Sequence, residues 1–261
     1  AGEDLMFEYS RKKGVTVYVY RLPNAFGKWS RPNYNSAIAT FCYNIARSLP
    51  ITITDRAISL NLVYIDDIVV EIIRAIKGEA TCVGTFCEVR PVHQATLGEI
   101  ADLLHSFAES RRTLQVPQLN DPFVKKLYST YLSFLPEDSF SYALTTHEDH
   151  RGSFTEVLRT SDRGQVSINV SMPGITKGNH WHHTKNEKFL VVQGQGVIRF
   201  RKIGEKKVIE YPVNGEELTV VDIPAGYTHN IENLGNDKMV TLMWANEPFD
   251  PEKPDTYFEE V

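Results

Sequence analysis

Hydrophobic and polar positions follow two rhythms along this chain, and the change falls near residues 136–145. Before it, helical spacing dominates. Residues 3–13 and 36–48 read as helices. Ile68, Ile72, Ile73 and Ile76 put an apolar stripe on a helix over 68–77 that Asp66-Asp67 is expected to cap. Thr96 and Glu99 make a capping-box pattern at the head of a helix over 97–109, and Asp121-Pro122 opens another that ends near Leu135-Pro136. Residues 15–20, all β-branched or aromatic, and the short run 51–54 read as strands between these helices. Helix and strand in alternation predict an α/β half-domain.

Beyond the change, short alternating runs at 153–159, 165–171, 187–193, 196–203, 207–213, 218–223 and 238–245 are separated by turn residues such as Pro173-Gly174 and Asn214-Gly215. That even spacing predicts an all-β barrel or sandwich. The chain is therefore expected to be an α+β protein in two parts, 1–138 and 139–261.

Composition narrows the class of function. The chain has 261 residues and a formal charge of −5, which disfavours a nucleic-acid partner. It has no apolar run long enough to span a membrane and no signal-peptide pattern at its start. The three cysteines, Cys42, Cys82 and Cys87, are odd in number and irregularly spaced. That argues against a disulfide framework and for a reducing cytoplasm.

The chemistry concentrates in two segments of the second part. One reads Gly174-x5-His180-Trp181-His182-x4-Glu187-x6-Gly194, the other Pro224-Ala225-Gly226-Tyr227-Thr228-His229-x3-Asn233. Strand alternation turns His180 and His182 to one face. Glu187 comes from the next strand and His229 from a distant one. Three imidazoles and a carboxylate converging inside a barrel suit a divalent first-row ion such as Zn, Ni, Mn or Fe.

These two motifs resemble those of the cupin family, which implies a double-stranded β-helix, or jelly roll, with His180, His182, Glu187 and His229 as metal ligands and zinc as the expected ion. Asp149-His150-Arg151-Gly152-Ser153-Phe154-Thr155-Glu156 resembles the opening motif of nucleotide-sugar 3,5-epimerases. The resemblance implies that Arg151, Phe154 and Glu156 line a nucleotide pocket. It also places His180 where those enzymes carry their proton-abstracting histidine and Lys188 where they carry a lysine that stabilises the enolate. Their tyrosine acid has no match, and Tyr227 is a candidate donor in its stead. His180 cannot be tight ligand and base at once, since both roles use one lone pair; His183 is another candidate base.

In the first part, 17–27 and Tyr64-Ile65-Asp66-Asp67-Ile68-Val69 resemble extended short-chain dehydrogenases that act on nucleotide sugars. That resemblance implies substrate contacts at Asn24 and, in place of an arginine expected near Leu60, at Arg56. Asn33-Tyr34-Asn35-Ser36 would lie nearby. No Gly-x-Gly-x-x-Gly follows a strand, so the dinucleotide loop is missing. Tyr9-x3-Lys13 imitates the reductase pair but lies too near the strand. The chain is expected to be a fragment lacking the N-terminal nucleotide-binding half.

Together the parts resemble the bifunctional capsular-polysaccharide enzymes of the UDP-N-acetyl-L-fucosamine pathway, a short-chain reductase fused to a cupin epimerase. The resemblance implies C3 epimerisation of a UDP-4-keto-6-deoxy-N-acetylhexosamine by the cupin, with C4 reduction by NADPH only in the full-length architecture. A homodimer through the cupin is expected. The rival readings are a metal-dependent cupin oxygenase, a metal-free epimerase with His180 as base, and a non-catalytic nucleotide-sugar-binding module.

Overall fold

A computed structural model describes residues 2–261. The chain divides into two compact units, one with residues up to 109 and 117–141, the other with 110–116 and 142–261.

The first unit runs α1 (Gly2–Lys13), β1 (Asn24–Phe26), α2 (Ala37–Ile45), β2 (Ser59–Tyr64), α3 (Ile65–Ile76), β3 (Cys82–Val83), β4 (Phe86–Cys87), β5 (His93–Thr96), α4 (Leu97–Thr113) and α5 (Pro122–Leu132). The last residues of α4 belong to the second unit. β1 pairs parallel with β2, and β2 antiparallel with β5. Phe26 and Leu62 from this sheet pack with Ile100, Leu104 and Phe107 of α4 and Leu127 and Tyr131 of α5 in one buried core. Capping follows the sequence at three helices. Ser36 accepts the Ala39 amide, Thr96 and Glu99 bond reciprocally, and Asp121 accepts the amides of Phe123 and Val124.

Four expectations for this unit are corrected. Residues 15–20 form no strand; Tyr20 alone bridges Cys87, in parallel. Residues 51–54 are irregular, and the strand lies later, at β2, where Leu60 and Leu62 alternate with polar neighbours. Asp66 and Asp67 lie inside the first turn of α3 and bind Lys28 and Lys126 instead of capping it. Cys82 and Cys87 stand directly opposite on the β3–β4 hairpin and are joined in a disulfide, leaving Cys42 buried and free.

The second unit is two antiparallel sheets. Its strands are β6 (Thr146–Asp149), β7 (Gly152–Thr160), β8 (Gly164–Ser171), β9 (Thr176–Trp181), β10 (Glu187–Gln193), β11 (Gln195–Lys202), β12 (Val208–Asn214), β13 (Val220–Ile223), β14 (Tyr227–Asn233), β15 (Met239–Ala245) and β16 (Tyr257–Phe258). One sheet has the order β13-β10-β15-β8-β7-β6, the other β12-β11-β14-β9-β16. Phe189, Val191, Val221, Ile223 and Met239 of the first sheet pack on Ile198, Phe200, Val213 and Ile231 of the second. This is a β-rich, cupin-like unit. No helix among the described residues is long and apolar enough to cross a membrane.

Candidate metal centre

β9 and β14 pair so that His180 stands opposite His229. The ladder then slips. Asn230 pairs with Gly178 and Ile231 with Lys177, leaving Asn179 as an extra residue at φ 58°. Because His229 and Ile231 share a face of β14, their partners His180 and Lys177 share a face of β9, three residues apart instead of two. His182 follows the end of β9, and Glu187 opens β10. One ligand-capable atom from each of His180, His182, Glu187 and His229 lies within 4.8 Å of the others.

Nδ1 of His182 faces the main-chain carbonyl of Asp255. A carbonyl only accepts, so Nδ1 carries the proton and Nε2 turns its lone pair inward, 3.3 Å from Glu187 Oε2. His229 repeats the arrangement. Its Nδ1 lies 3.4 Å from the Tyr227 carbonyl, and its Nε2 lies 3.2 Å from the same Oε2. That nitrogen is buried and has no aligned hydrogen-bond partner. Lone pairs crowding a buried carboxylate require a positive charge among them. A divalent ion supplies it, and three nitrogens with one oxygen are a fitting donor set for a first-row metal.

The electrostatics agree. Burial opposes the Glu187 charge, but the close contacts with His182 and His229 hold the carboxyl down at about 2. Burial, then the neighbouring His229 and His182, lower His180 to about 4, so its imidazole stays neutral and available for ligation.

The four residues line a cavity of 810 Å³ within the second unit, inside the range of about 300–1,000 Å³ usual for small-molecule sites. Phe189, Ile231 and Met243 give it apolar walls; Lys177, Lys185 and Arg159 bring positive charge. Of the residues expected in a nucleotide pocket, Phe154 and Glu156 line it, with Glu156 held by Arg159 at 2.5 Å. Arg151 lies outside the lining, paired with Asp149 at 2.7 Å. Lys188 also lies outside it. The pleat that turns Glu187 inward turns Lys188 outward, where it meets Asp222. Tyr227 packs against the sheet core, not in the cavity wall, and His183 sits edge-on to Trp181 and Tyr257. In the first unit Asn24 donates to the Asn61 carbonyl at 3.3 Å, and Arg56 pairs with Asp102 at 2.7 Å.

Sequence reasoning gave no role to two residues. Lys177 projects into the cavity, its Nζ bonded at 2.8 Å to Asn169 Oδ1 and at 2.8 Å to the Val170 carbonyl. Both acceptors are neutral, and burial lowers its pKa. The bulge that aligns it with His180 is signalled only by Gly178-Asn179. Asp255, the partner of His182, is 73 residues away in sequence, and no local pattern announces it.

Residues 147–257 match the family described as the polysaccharide biosynthesis C-terminal domain. The chain is 48% identical over 244 residues to the UDP-2-acetamido-2,6-beta-L-arabino-hexul-4-ose reductase of Pseudomonas aeruginosa, covering 94% of this chain and 65% of that protein. It therefore spans about two thirds of that relative's length. Among solved structures, the capsular polysaccharide assembling protein CapF from Staphylococcus aureus is 61% identical and superposes with a TM-score of 0.96 over 100% of this chain and 70% of that one. CapF with the inhibitor 3-isopropenyl-tropolone gives 61% identity and a TM-score of 0.98, with 100% of this chain and 75% of that one covered. With such identity over most of a relative's length, the chain belongs to the family of the capsular polysaccharide assembling protein CapF.

Proposed function

We propose that the second unit is a nucleotide-sugar C3 epimerase that acts on a UDP-4-keto-6-deoxy-N-acetylhexosamine in capsular polysaccharide synthesis. The observation that carries this reading is the His180, His182, Glu187 and His229 cluster at the wall of a cavity that also holds a positioned ammonium. The name of the Pseudomonas relative supports the substrate class, a UDP-linked sugar with a carbonyl at C4. Such a carbonyl acidifies the neighbouring C3 hydrogen, so the chemistry needs a proton acceptor and a stabiliser of negative oxygen.

His180, His182, Glu187 and His229 would hold the metal ion, which when bound supplies Lewis-acid polarisation of a carbonyl oxygen. His180 is assigned as a ligand, not the base. An imidazole that ligates the ion spends its free lone pair on it and has none left to abstract a proton. The role that sequence gave to Lys188 passes to Lys177, which lines the cavity and whose ammonium has a third N–H beyond the two acceptors that fix it. Phe154 offers a ring to the substrate, and Phe189, Ile231 and Met243 keep the site dry.

Residues 1–138 are proposed as the substrate-binding part of a short-chain reductase, with Asn24 and Arg56 as nucleotide-sugar contacts. NADPH-dependent reduction is not proposed for these residues, in which no Gly-x-Gly-x-x-Gly follows a strand; saturable NADPH binding here would contradict that. Dimerisation through the second unit is supported by the exposed Val208, Ile209 and Tyr211 on β12, and a monomeric mass in solution would count against it.

The test is deuterium uptake from D2O into the UDP-sugar, read by mass spectrometry without NADPH, on protein as isolated, stripped with chelator and reloaded. Uptake that disappears with the metal and returns on reloading supports the reading. Full uptake by stripped protein would leave the epimerase and remove the metal's role. No uptake by the folded, metal-loaded chain would remove the epimerase.

A further inference from the structure

The segment after residue 250 folds back over the loop that carries His182. Asp255 is its anchor. The Asp255 carboxylate accepts the amides of His183 at 2.9 Å, Thr184 at 2.8 Å and Lys185 at 2.9 Å, and the Thr184 hydroxyl at 3.2 Å. Three successive amides gathered on one carboxylate form an anion nest. Burial opposes the charge, but these bonds hold the carboxyl well below its usual range. The main-chain carbonyl of the same residue accepts from His182 Nδ1. One residue thus fixes both the loop backbone and the ring of a proposed ligand.

The strap is secured on its far side by other contacts. Tyr257 stacks on Trp181 with centroids 4.8 Å apart, and Tyr257 and Phe258 pair with Trp181 and His180 of β9. The Glu259 amide donates to the Asn179 carbonyl at 3.0 Å, and Arg201 binds the Glu259 carboxylate at 2.8 Å. Asp255 therefore sits in a strap anchored independently of it, and its substitution acts on the loop and the ring more than on the fold.

We infer that Asp255 is a positioning residue for the metal centre: its carboxylate shapes the loop 183–185, and its carbonyl holds His182 in the tautomer that presents Nε2 to the cluster. This rests on the metal reading proposed above for its affinity consequence, but not for its effect on the ring. An outer partner of a ligating histidine of this kind is worth about 10–100-fold in metal affinity.

Two measurements on the full chain test it. The first is Co(II) titration with competition by a chelator, following the visible absorption of the bound ion, for wild type, Asp255→Ala and Asp255→Asn. Asp255→Ala keeps the main-chain carbonyl but releases the loop amides that seat it against His182. It is expected to bind more weakly with an altered spectrum, by up to the roughly 10–100-fold that loss of an outer partner costs, and Asp255→Asn, which keeps one acceptor, is expected to fall between. The second is long-range 1H–15N NMR of the His182 ring without metal. Wild type should show the Nδ1-protonated tautomer, and Asp255→Ala a mixture. If Asp255→Ala does not fold, Asp255→Asn carries both tests. Wild-type affinity and spectrum in the variants, or a His182 ring unmoved from one tautomer, would overturn the inference. A wild type that binds no Co(II) while the tautomer still shifts in the variant would sink the metal reading and leave the positioning role standing.

Discussion

His180 on β9 stands directly across from His229 on β14, with ring centroids 4.7 Å apart. That pairing depends on the neighbouring Gly178, which lies at φ +109°; a Cβ there would come within 2.7 Å of the His229 carbonyl oxygen and 2.8 Å of Asn230 Cα. Backbone occupies the space, so β9 and β14 would have to part. Gly178→Ala is expected to destabilise the second unit by more than about 1 kcal/mol and to weaken metal binding. Gly174→Ala, also at positive φ but with nothing within 4 Å of its Cβ, is expected to lower the melting temperature while sparing metal affinity. Calorimetry and a metal titration separate the two. Unchanged metal affinity in folded Gly178→Ala would contradict the pairing's importance.

The two lysines give opposite expectations. Removing a preorganised donor to a developing oxyanion costs about 10²–10³ in rate, so Lys177→Met should slow isotope exchange on that scale with metal content intact. Lys188 and Asp222 form an exposed pair, and such pairs contribute about 0–1 kcal/mol. Lys188→Ala should therefore change exchange by no more than a few-fold. The reverse order of rates would restore the assignment first read from sequence.

Glu71 predicts acid sensitivity in the first unit. It is 5% exposed and accepts from the Thr81 amide at 2.6 Å, the Thr81 hydroxyl at 2.8 Å and the Tyr20 hydroxyl at 2.7 Å. Burial opposes its charge, yet these bonds and Arg74 lower its pKa in the folded state. Below an unfolded value of about 4.3 the unfolded chain takes up the proton first. The stabilisation is thus complete above that pH and is lost as pH falls through the folded value. Glu71→Gln turns charge-assisted bonds into neutral ones and should cost about 1–3 kcal/mol at neutral pH. Its melting temperature should also fall less steeply with acid than that of wild type. Parallel slopes for the two proteins, measured by calorimetry from pH 7 downward, would contradict this.

Much of the second unit was legible because local rules set it. Turn residues bracket β7, β8, β10, β11, β12 and β15, and each emerges within two residues of its expected bounds. The four clustered side chains were legible for the same reason, since their spacing survives in the strands that carry them. Lys188 shows the limit of matching a lysine by resemblance, because the alternation that turns Glu187 inward already turns its neighbour outward. Lys177 needed the bulge at Asn179, and Asp255 needed a tertiary contact across 73 residues. In the first unit, residues 15–20 have strand composition but only one bridging partner, and composition alone does not make a ladder. The Cys82–Cys87 bond follows from two residues meeting across a hairpin whose register no spacing rule announces.

The most direct test of the central claim is proton NMR of a UDP-4-keto-6-deoxy-N-acetylhexosamine in D2O with the metal-loaded chain and no NADPH. The account predicts that the C3 proton signal fades as deuterium enters at that carbon, and that His229→Ala abolishes the loss. A C3 signal that persists at full intensity beside folded, metal-loaded protein would contradict it.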